Sequence, residues 1–186
     1  MIVTVVPYRP EWAAEFERES ALVREVLGAE LAALFHIGST AVAGLDAKPI
    51  IDMLPVVRDL DALDALAPRF EALGYEVMGE FGIPGRRYYR KGGVHRTHQI
   101  HAFRYDDANN ILRHIALRDY LRHHPAVREE YGTLKQRLAA LHPEDITAYS
   151  GGKDHFVKEL ERQALIWYFG RMDGAPYTDY ATKVGD

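Results

Sequence analysis

The stretch HIGSTAVAGLDAKPIIDMLPVV, from His36 to Val57, decides the fold of this chain. An apolar strand leads into a turn at Gly38 and Ser39, a loop of small residues follows, and a second apolar strand begins at Pro49. Gly38 lacks a Cβ, so the backbone can turn sharply there and let a bulky anion approach. The Ser39 hydroxyl can donate to a phosphate oxygen. The stretch therefore predicts a backbone turn that binds phosphate between two neighbouring strands.

Asp52 is an acid within the apolar second strand. An ionised carboxylate in an apolar medium either finds a cation or loses its charge. A divalent cation with oxygen ligands is one suitable partner, and Lys48 or an arginine is another. Asp52 is therefore either a metal ligand or a member of a buried ion pair.

The same residues resemble a known family. IGSTAVAGLDAKPIID is similar to the signature of the GrpB family, small bacterial proteins placed in the nucleotidyltransferase superfamily, whose motif is a Gly-Ser turn followed by Asp-x-Asp or Asp-x-Glu. The resemblance continues through THQIH (97–101), LRDYLRHHP (117–125), EYGTLKQRLA (130–139) and the residues around Tyr149 to Lys153. It implies a nucleotidyltransferase-like fold with its site between a sheet and a helical half.

One position departs from that motif, because Leu54 stands where the superfamily has its second acid. A two-metal site needs several anionic oxygens to hold two dications about 3.5–4 Å apart. Asp119, Glu80 or Asp106 would have to replace the missing ligand. Without a replacement, the surviving transfer mechanism uses one metal, with His101 as general base.

The composition is that of an ordinary globular protein. The chain has 186 residues, 47% of them hydrophobic and 27% charged, with a net charge of -4 and no cysteine. The acidic balance argues against a general nucleic-acid binder, and the missing cysteines exclude disulfides and thiolate metal sites. No apolar run reaches the length of a membrane span, and the N-terminus lacks the plan of a signal peptide. We expect a cytoplasmic protein.

The order of elements favours an α/β (α+β) fold, a small mixed sheet flanked by helices with a helical C-terminal half. Residues 1–170 are predicted to form one domain, and residues 171–186 a loosely ordered tail. The periodicity predicts these main elements: strands over Ile2–Val6, Leu34–Ile37, Pro49–Val57, Tyr75–Met78, Arg86–Lys91 and Thr97–Phe103, and helices over Pro10–Gly28 and Asp59–Leu73 and in the C-terminal half.

The strand over Thr97–Phe103 alternates, so His98 and His101 point to opposite faces of the sheet. The two histidines therefore cannot both bind one metal ion without a bulge. We predict that His101 is the site residue, either as a metal ligand beside Asp52 or as a base, in the place of the superfamily's third carboxylate. The alternative for either histidine is a hydrogen-bonded structural residue.

Two further segments carry candidate phosphate ligands. RRYYRKGGVHR contains Arg86 and Arg87, which would either clamp an anion or form a solvated hairpin. Gly151, Gly152 and Lys153 are predicted to precede the last helix, where exposed N–H groups and the helix dipole favour phosphate. We expect six residues to meet at the site: Gly38, Ser39, Lys48, Asp52, His101 and Lys153.

These residues lead to two main hypotheses. The first is a nucleotidyltransferase or nucleotide-binding enzyme that depends on Mg²⁺ or Mn²⁺, with Asp52 and His101 at the metal and an unknown acceptor. The second is a module that binds a nucleotide or phosphorylated metabolite without turnover. Because GrpB-like domains also occur fused to dephospho-coenzyme A kinase, this resemblance hints at coenzyme A metabolism. Phosphate-ester hydrolysis is a third possibility, which the opposed histidines count against.

Overall fold

The computed structural model describes residues 2–172, in which a five-stranded mixed sheet has the order β1-β2-β5-β4-β3. Strands β2 and β5 are parallel, and the other neighbours are antiparallel. The predicted mixed α+β fold is confirmed. The elements are α1 (Glu11–Leu27), β1 (Leu31–Ile37), β2 (Ile51–Val57), α2 (Leu60–Ala65), α3 (Ala67–Ala72), β3 (Tyr75–Val77), β4 (Arg87–Lys91), β5 (His98–Arg104), α4 (Ala108–His123), α5 (Pro125–Leu141) and α6 (Ile146–Met172).

Helix α1 covers one face of the sheet, as its apolar spacing predicts. It begins after Pro10, whose fixed φ suits a helix start, and it ends at Gly28, which has a φ of 51°. Trp12, Phe16 and Val23 recur at helical spacing and are buried against this face. The helix is scaffold for the strands that carry the site.

The two faces of the central strands bury different clusters, because successive side chains point to opposite sides. Met53 and Ile100 are fully buried on the α1 face. Leu54 and Phe103 are fully buried on the other face, where they pack with Ile115 of α4. Leu54 is therefore a core residue beneath α4.

Two local predictions were wrong. The helix predicted over Asp59–Leu73 is interrupted at Leu66 and continues as α3, because Pro68 lacks an N–H and is tolerated only in a first helical turn. The strand predicted over Ile2–Val6 forms only the bridge between Val6 and Ala47.

The predicted loop at Gly151-Gly152-Lys153 is also a helix. Helix α6 begins at Ile146, so these three residues lie in its second turn and present no helix N-terminus. A Cβ at Gly152 would lie 2.6 Å from Cδ2 of Leu138 on α5. The glycine is therefore required by close helix packing, and the proposed binding of phosphate by backbone N–H groups at this point is ruled out.

Helix α6 continues to Met172, so the first two residues of the predicted tail, 171 and 172, are helical. Residues 173–186 lie outside the described residues. The prediction of a loosely ordered tail over them therefore stays a prediction. Within residues 2–172, no helix is both long and apolar enough to cross a membrane.

Candidate functional site

The turn after β1 brings backbone and carboxylate into close contact. Gly38 has a φ of 70°, a conformation that side-chain-bearing residues rarely adopt. A Cβ at this position would lie 2.5 Å from Oδ2 of Asp52. Glycine is thus required twice, by the backbone conformation and by the carboxylate that lies over the turn.

Asp52 and His101 face each other across neighbouring strands. Asp52 is paired with Gln99 in the parallel register of β2 and β5, so His101 lies two residues further along the same face. The distance from His101 Nε2 to Asp52 Oδ1 is 3.4 Å, with side chains 15% and 24% exposed. The two groups remain accessible to a ligand.

The other nitrogen of the His101 ring faces an arginine. Arg86 Nη1 lies 3.5 Å from Nδ1, while the same guanidinium donates to the carbonyls of Glu80 and Phe81. A guanidinium only donates, so Nδ1 is the acceptor and the ring proton lies on Nε2, toward Asp52. In this arrangement His101 orients the carboxylate.

Three lysine side chains approach the same turn from different elements. Lys135 of α5 is 2% exposed, and its ammonium donates to Ser39 Oγ at 3.0 Å and to the carbonyl of Asp46. Lys48, from the loop before β2, and Lys153 of α6 lie over the ring of Tyr149, with Nζ 5.5 Å and 5.9 Å from its centroid. We call Lys48, Lys135 and Lys153 the lysine cluster.

The electrostatics of the lysine cluster are unfavourable as it stands. Burial and the nearby Lys153 and Lys48 ammonium groups together lower the pKa of Lys135 to about 7, with Asp46 acting in the opposite direction. Burial also lowers the pKa of Lys48 and of Lys153, with Asp52 acting in the opposite direction on both. Among the described residues, no carboxylate forms an ion pair with any of the three. The positive charge of the cluster is therefore offset only without direct contact, by carboxylates such as Asp52 and Asp46.

Comparison with known proteins identifies the family. The family model described as GrpB protein matches residues 2–163. The chain belongs to the GrpB family. Within the family, its sequence is 44% identical over 170 residues to the UPF0157 protein YqkA of Bacillus subtilis, covering 91% of this chain. This chain spans 49% of the length of that relative.

A solved GrpB structure has the same fold. The conserved protein GrpB from Enterococcus faecalis superposes with a TM-score of 0.87 and 46% identity, covering 89% of this chain and 99% of that one. More distant is terminal uridylyl transferase 4 from Trypanosoma brucei with bound CTP, with a TM-score of 0.44 and 20% identity over 76% of this chain and 52% of that one. Dephospho-CoA kinase of Mycolicibacterium paratuberculosis is 27% identical over 189 residues, which cover 89% of this chain and 46% of that enzyme.

The fold of this GrpB protein brings most of the predicted site residues together. Gly38 and Ser39 form the turn after β1, and Asp52 lies over it. His101 contacts Asp52, and Arg86 contacts His101. Lys48 and Lys153 are close enough to Asp52 for its charge to raise the pKa of both. Arg87 does not reach the site, because alternation along β4 turns it to the other side of the sheet. There it forms a bidentate ion pair with Asp64, at 2.7 Å for each hydrogen bond.

Among the described residues of this GrpB protein, none of the three candidate acids replaces Leu54. Asp119 is paired with Arg118 at 2.7 Å, and Asp106 is paired with Arg104. Glu80 accepts from the backbone N–H of Gly85. Across residues 2–172, no group of three or more His, Cys, Asp or Glu side chains could hold a metal ion.

Sequence reasoning missed Lys135 and its neighbour Tyr131. The Lys135 ammonium lies 4.4 Å from the centroid of the Tyr131 ring, and the Tyr131 hydroxyl is hydrogen-bonded to Ser39. Tyr131, Lys135 and Ala139 recur every four residues, which places the lysine on the buried face of α5. The sequence signal that could have identified Lys135 is a lysine within the apolar stripe of a predicted helix.

Proposed function

We propose that the lysine cluster and the Gly38-Ser39 turn bind the polyphosphate group of a nucleotide, together with one divalent cation at Asp52. The observation that carries the proposal is the proximity of three largely buried ammonium groups, of which Lys135 contacts Ser39 and the other two lie over Tyr149, with no carboxylate of the described residues paired to them. A desolvated cation without a counter-charge is costly. A polyphosphate would supply that counter-charge and raise the lysine pKa values back toward their ordinary range.

The polar groups around the turn suit phosphate oxygens. Each ammonium has three donors and no acceptor, and the Ser39 hydroxyl adds another donor. Charge-assisted hydrogen bonds of this kind are about twice as strong as neutral ones. A ligand with several adjacent phosphates could contact Lys48, Lys135 and Lys153 at once, which a single small anion could not do.

The donor set at Asp52 fits one cation. Mg²⁺ in nucleotide sites is commonly held by one or two carboxylates, with substrate phosphates and water completing its shell. Asp52 would be that carboxylate, and His101 would hold its orientation through Nε2. For His101 itself to join the shell, its Nε2 would have to release the proton that it donates to Asp52. When bound, the cation would neutralise phosphate charge beside a carboxylate that otherwise repels it.

The remainder of the ligand has space next to the cluster. Of the lysine cluster, Lys48 also lines a cleft of about 880 Å³ on the α1 side of the sheet, together with Trp12, Glu15, Glu19, Arg96 and His98. A nucleoside or a longer phosphorylated metabolite would fit a space of this size. The dephospho-CoA kinase relative makes coenzyme A precursors reasonable ligands to test beside the four nucleoside triphosphates.

Nucleotidyl transfer is the second candidate, and it rests on the short approach of His101 to Asp52. Transfer would need the acceptor hydroxyl to lose a proton to a base in this region. The missing second acid at Leu54 favours the binding function over the two-metal reaction. Pyrophosphate release separates the two candidates, because binding alone produces none.

The test is calorimetric titration with ATP, CTP, GTP, UTP and dephospho-coenzyme A, each with and without Mg²⁺. We expect one of them to bind with a micromolar Kd when Mg²⁺ is present. Lys153→Gln should weaken that binding by at least about tenfold, since one charge-assisted contact is lost. Lys158→Gln on the same helix, whose side chain is 72% exposed, is the matched control and should bind normally.

Asp52→Asn addresses the cation. The variant should lose the improvement that Mg²⁺ gives to the parent protein, because an amide is a poor ligand for a hard dication. Binding of none of the five ligands, or equal binding by the parent and by Lys153→Gln, would refute the proposed function.

A further inference from the structure

A second basic cavity adjoins the turn, and none of the three lysines of the cluster lines it. Its volume is about 290 Å³. Its lining comprises three alanines, Ala13, Ala41 and Ala43, and five polar residues: Tyr8, His36, Thr40, Arg122 and Arg128. Within the described part of the chain, no carboxylate is among the lining residues. We call this space the arginine cavity.

Arg128 is the least satisfied group in the arginine cavity. Its Nε is buried, yet it has no hydrogen-bond partner, and the side chain takes part in no ion pair with a described residue. The guanidinium lies flat against the loop, since a Cβ at Gly44 would lie 3.4 Å from Nε and 3.5 Å from Cζ. A buried donor left unpaired costs about 1–3 kcal/mol, and a charged one costs more. A bound anion would give this guanidinium a counter-charge.

Arg122 adds a second guanidinium, which is fixed to the loop. Its Nε and Nη2 donate to the carbonyl of Ala41 at 3.0 Å and 2.7 Å. Its Nη1 lies 3.4 Å from Asp119, whose carboxylate is already bidentate to Arg118. One carboxylate thus serves two arginines and Arg128 has none, so the region carries a net positive charge.

The other polar groups around the arginine cavity do not compensate this charge. Thr40 donates to the carbonyl of Ile50 at 3.1 Å, so it must accept from His36 Nε2, which lies 3.1 Å away. His36 is therefore the neutral Nε2–H tautomer. Burial keeps it uncharged by lowering its pKa to about 4. The Tyr8 hydroxyl can donate to a ligand.

From these contacts we infer that the arginine cavity is a second anion site, separate from the lysine cluster, which binds the phosphate group of a small ligand between Arg122 and Arg128. Planar guanidinium forks match the geometry of phosphate oxygens. The inference does not depend on the proposed function, because it uses none of the residues of the lysine cluster.

The two sites share the loop between them. Ser39 is bound by Lys135 on one side, and Ala41 is bound by Arg122 on the other. An anion in the arginine cavity would hold the two guanidiniums in place against Ala41 and Gly44. Occupancy of the second site is thus expected to stabilise the turn that carries Ser39 and Gly38.

The test is a titration of the full chain with inorganic phosphate at constant ionic strength, followed by NMR of the arginine Nε–Hε signals. The Arg128 signal, assigned by its absence in Arg128→Gln, should shift in a saturable way. A parallel titration should give at least about tenfold weaker binding to Arg128→Gln. Arg162→Gln, on an exposed ion pair of α6, is the control and should leave binding unchanged.

A variant with Lys135→Met and Lys153→Gln separates the two sites. It should still bind phosphate and still shift the Arg128 signal. Phosphate binding that disappears in this variant, or an Arg128 signal that stays fixed while phosphate binds elsewhere, would overturn the inference. If Arg128→Gln does not fold, Arg128→Lys supplies the same assignment, because it keeps the positive charge and lacks the Nε–Hε group.

Discussion

Replacing Lys135 by methionine should stabilise the protein while it removes a proposed ligand contact. Lys135 is buried, and its pKa is lowered from 10.5 to about 7 by burial and by the neighbouring lysines. Below pH 7 the folded chain must carry a charge that its surroundings disfavour. Methionine has a similar length and shape without the charge, so the variant removes this cost.

The magnitude follows from the pKa. A pKa change of one corresponds to 1.36 kcal/mol, so the fall in the Lys135 pKa from 10.5 to about 7 gives its charged form in the folded chain a cost of about 5 kcal/mol at and below pH 7. Methionine also loses the hydrogen bonds to Ser39 and to the Asp46 carbonyl, at about 1 kcal/mol each. The variant should therefore be more stable than the parent by about 3 kcal/mol at pH 7.

The sign of the pH dependence provides an independent check. Between pH 7 and 10.5 the unfolded chain retains the Lys135 proton that the folded chain has released, so the free energy of unfolding rises with pH in the parent. Lys135→Met lacks this contribution, and its advantage should shrink toward pH 10. Urea unfolding at pH 7 and pH 10 measures both effects, with the exposed Lys158→Met as control. A destabilised variant at pH 7, or an advantage that does not change with pH, would refute the reasoning.

Two other outcomes follow from single contacts. Gly38→Ala should destabilise the protein by about 2 kcal/mol and weaken nucleotide binding, because the φ of Gly38 is 70° and the new Cβ would lie 2.5 Å from Asp52 Oδ2. The control is Gly151→Ala, whose Cβ would have nothing within 4 Å and which should be neutral or slightly stabilising. Urea unfolding and calorimetric titration measure both variants. Acid should destabilise the fold through His36, whose pKa falls from 6.5 to about 4 on folding. As the pH falls, the unfolded chain binds a proton at His36 before the folded chain does. The free energy of unfolding should therefore drop by about 3 kcal/mol between pH 6.5 and pH 4. His114, lowered to about 3, adds to this loss, and His114→Gln should show a smaller drop in urea titrations; equal drops would contradict that assignment.

The strand–turn–strand unit could be predicted from the sequence because its signals are local. A glycine turn followed by an apolar strand with one acid specifies both the backbone path and the face of Asp52. Alternation then placed His101 on that face and His98 on the other, and the structure agrees. The family resemblance extended these local signals to the whole fold.

The contributions from the helical half could not be predicted in the same way, since they depend on how distant helices pack. The glycine pair at 151 and 152 is typical of a loop, yet Gly152 is needed for contact with Leu138. The sequence placed Arg87 in a basic stretch, but only the position of Asp64 on α2 shows what it binds. Lys135 occupies a core-facing position whose ligand-binding potential becomes visible only when the turn lies against α5.

Helix α5 links the two basic sites through one face. Arg128 and Lys135 are seven residues apart, two turns or about 10.5 Å along the helix, so both point toward the loop that follows β1. Arg128 lies against Gly44 at one end of this face, and Lys135 binds Ser39 at the other. Gly132 lies between them, and a Cβ at this position would be 3.8 Å from the Cβ of Asp46. A movement of this helix relative to the loop would alter both sites at once. Phosphate in the arginine cavity should therefore tighten nucleotide binding at the lysine cluster, and by thermodynamic reciprocity the nucleotide should tighten phosphate binding by the same factor.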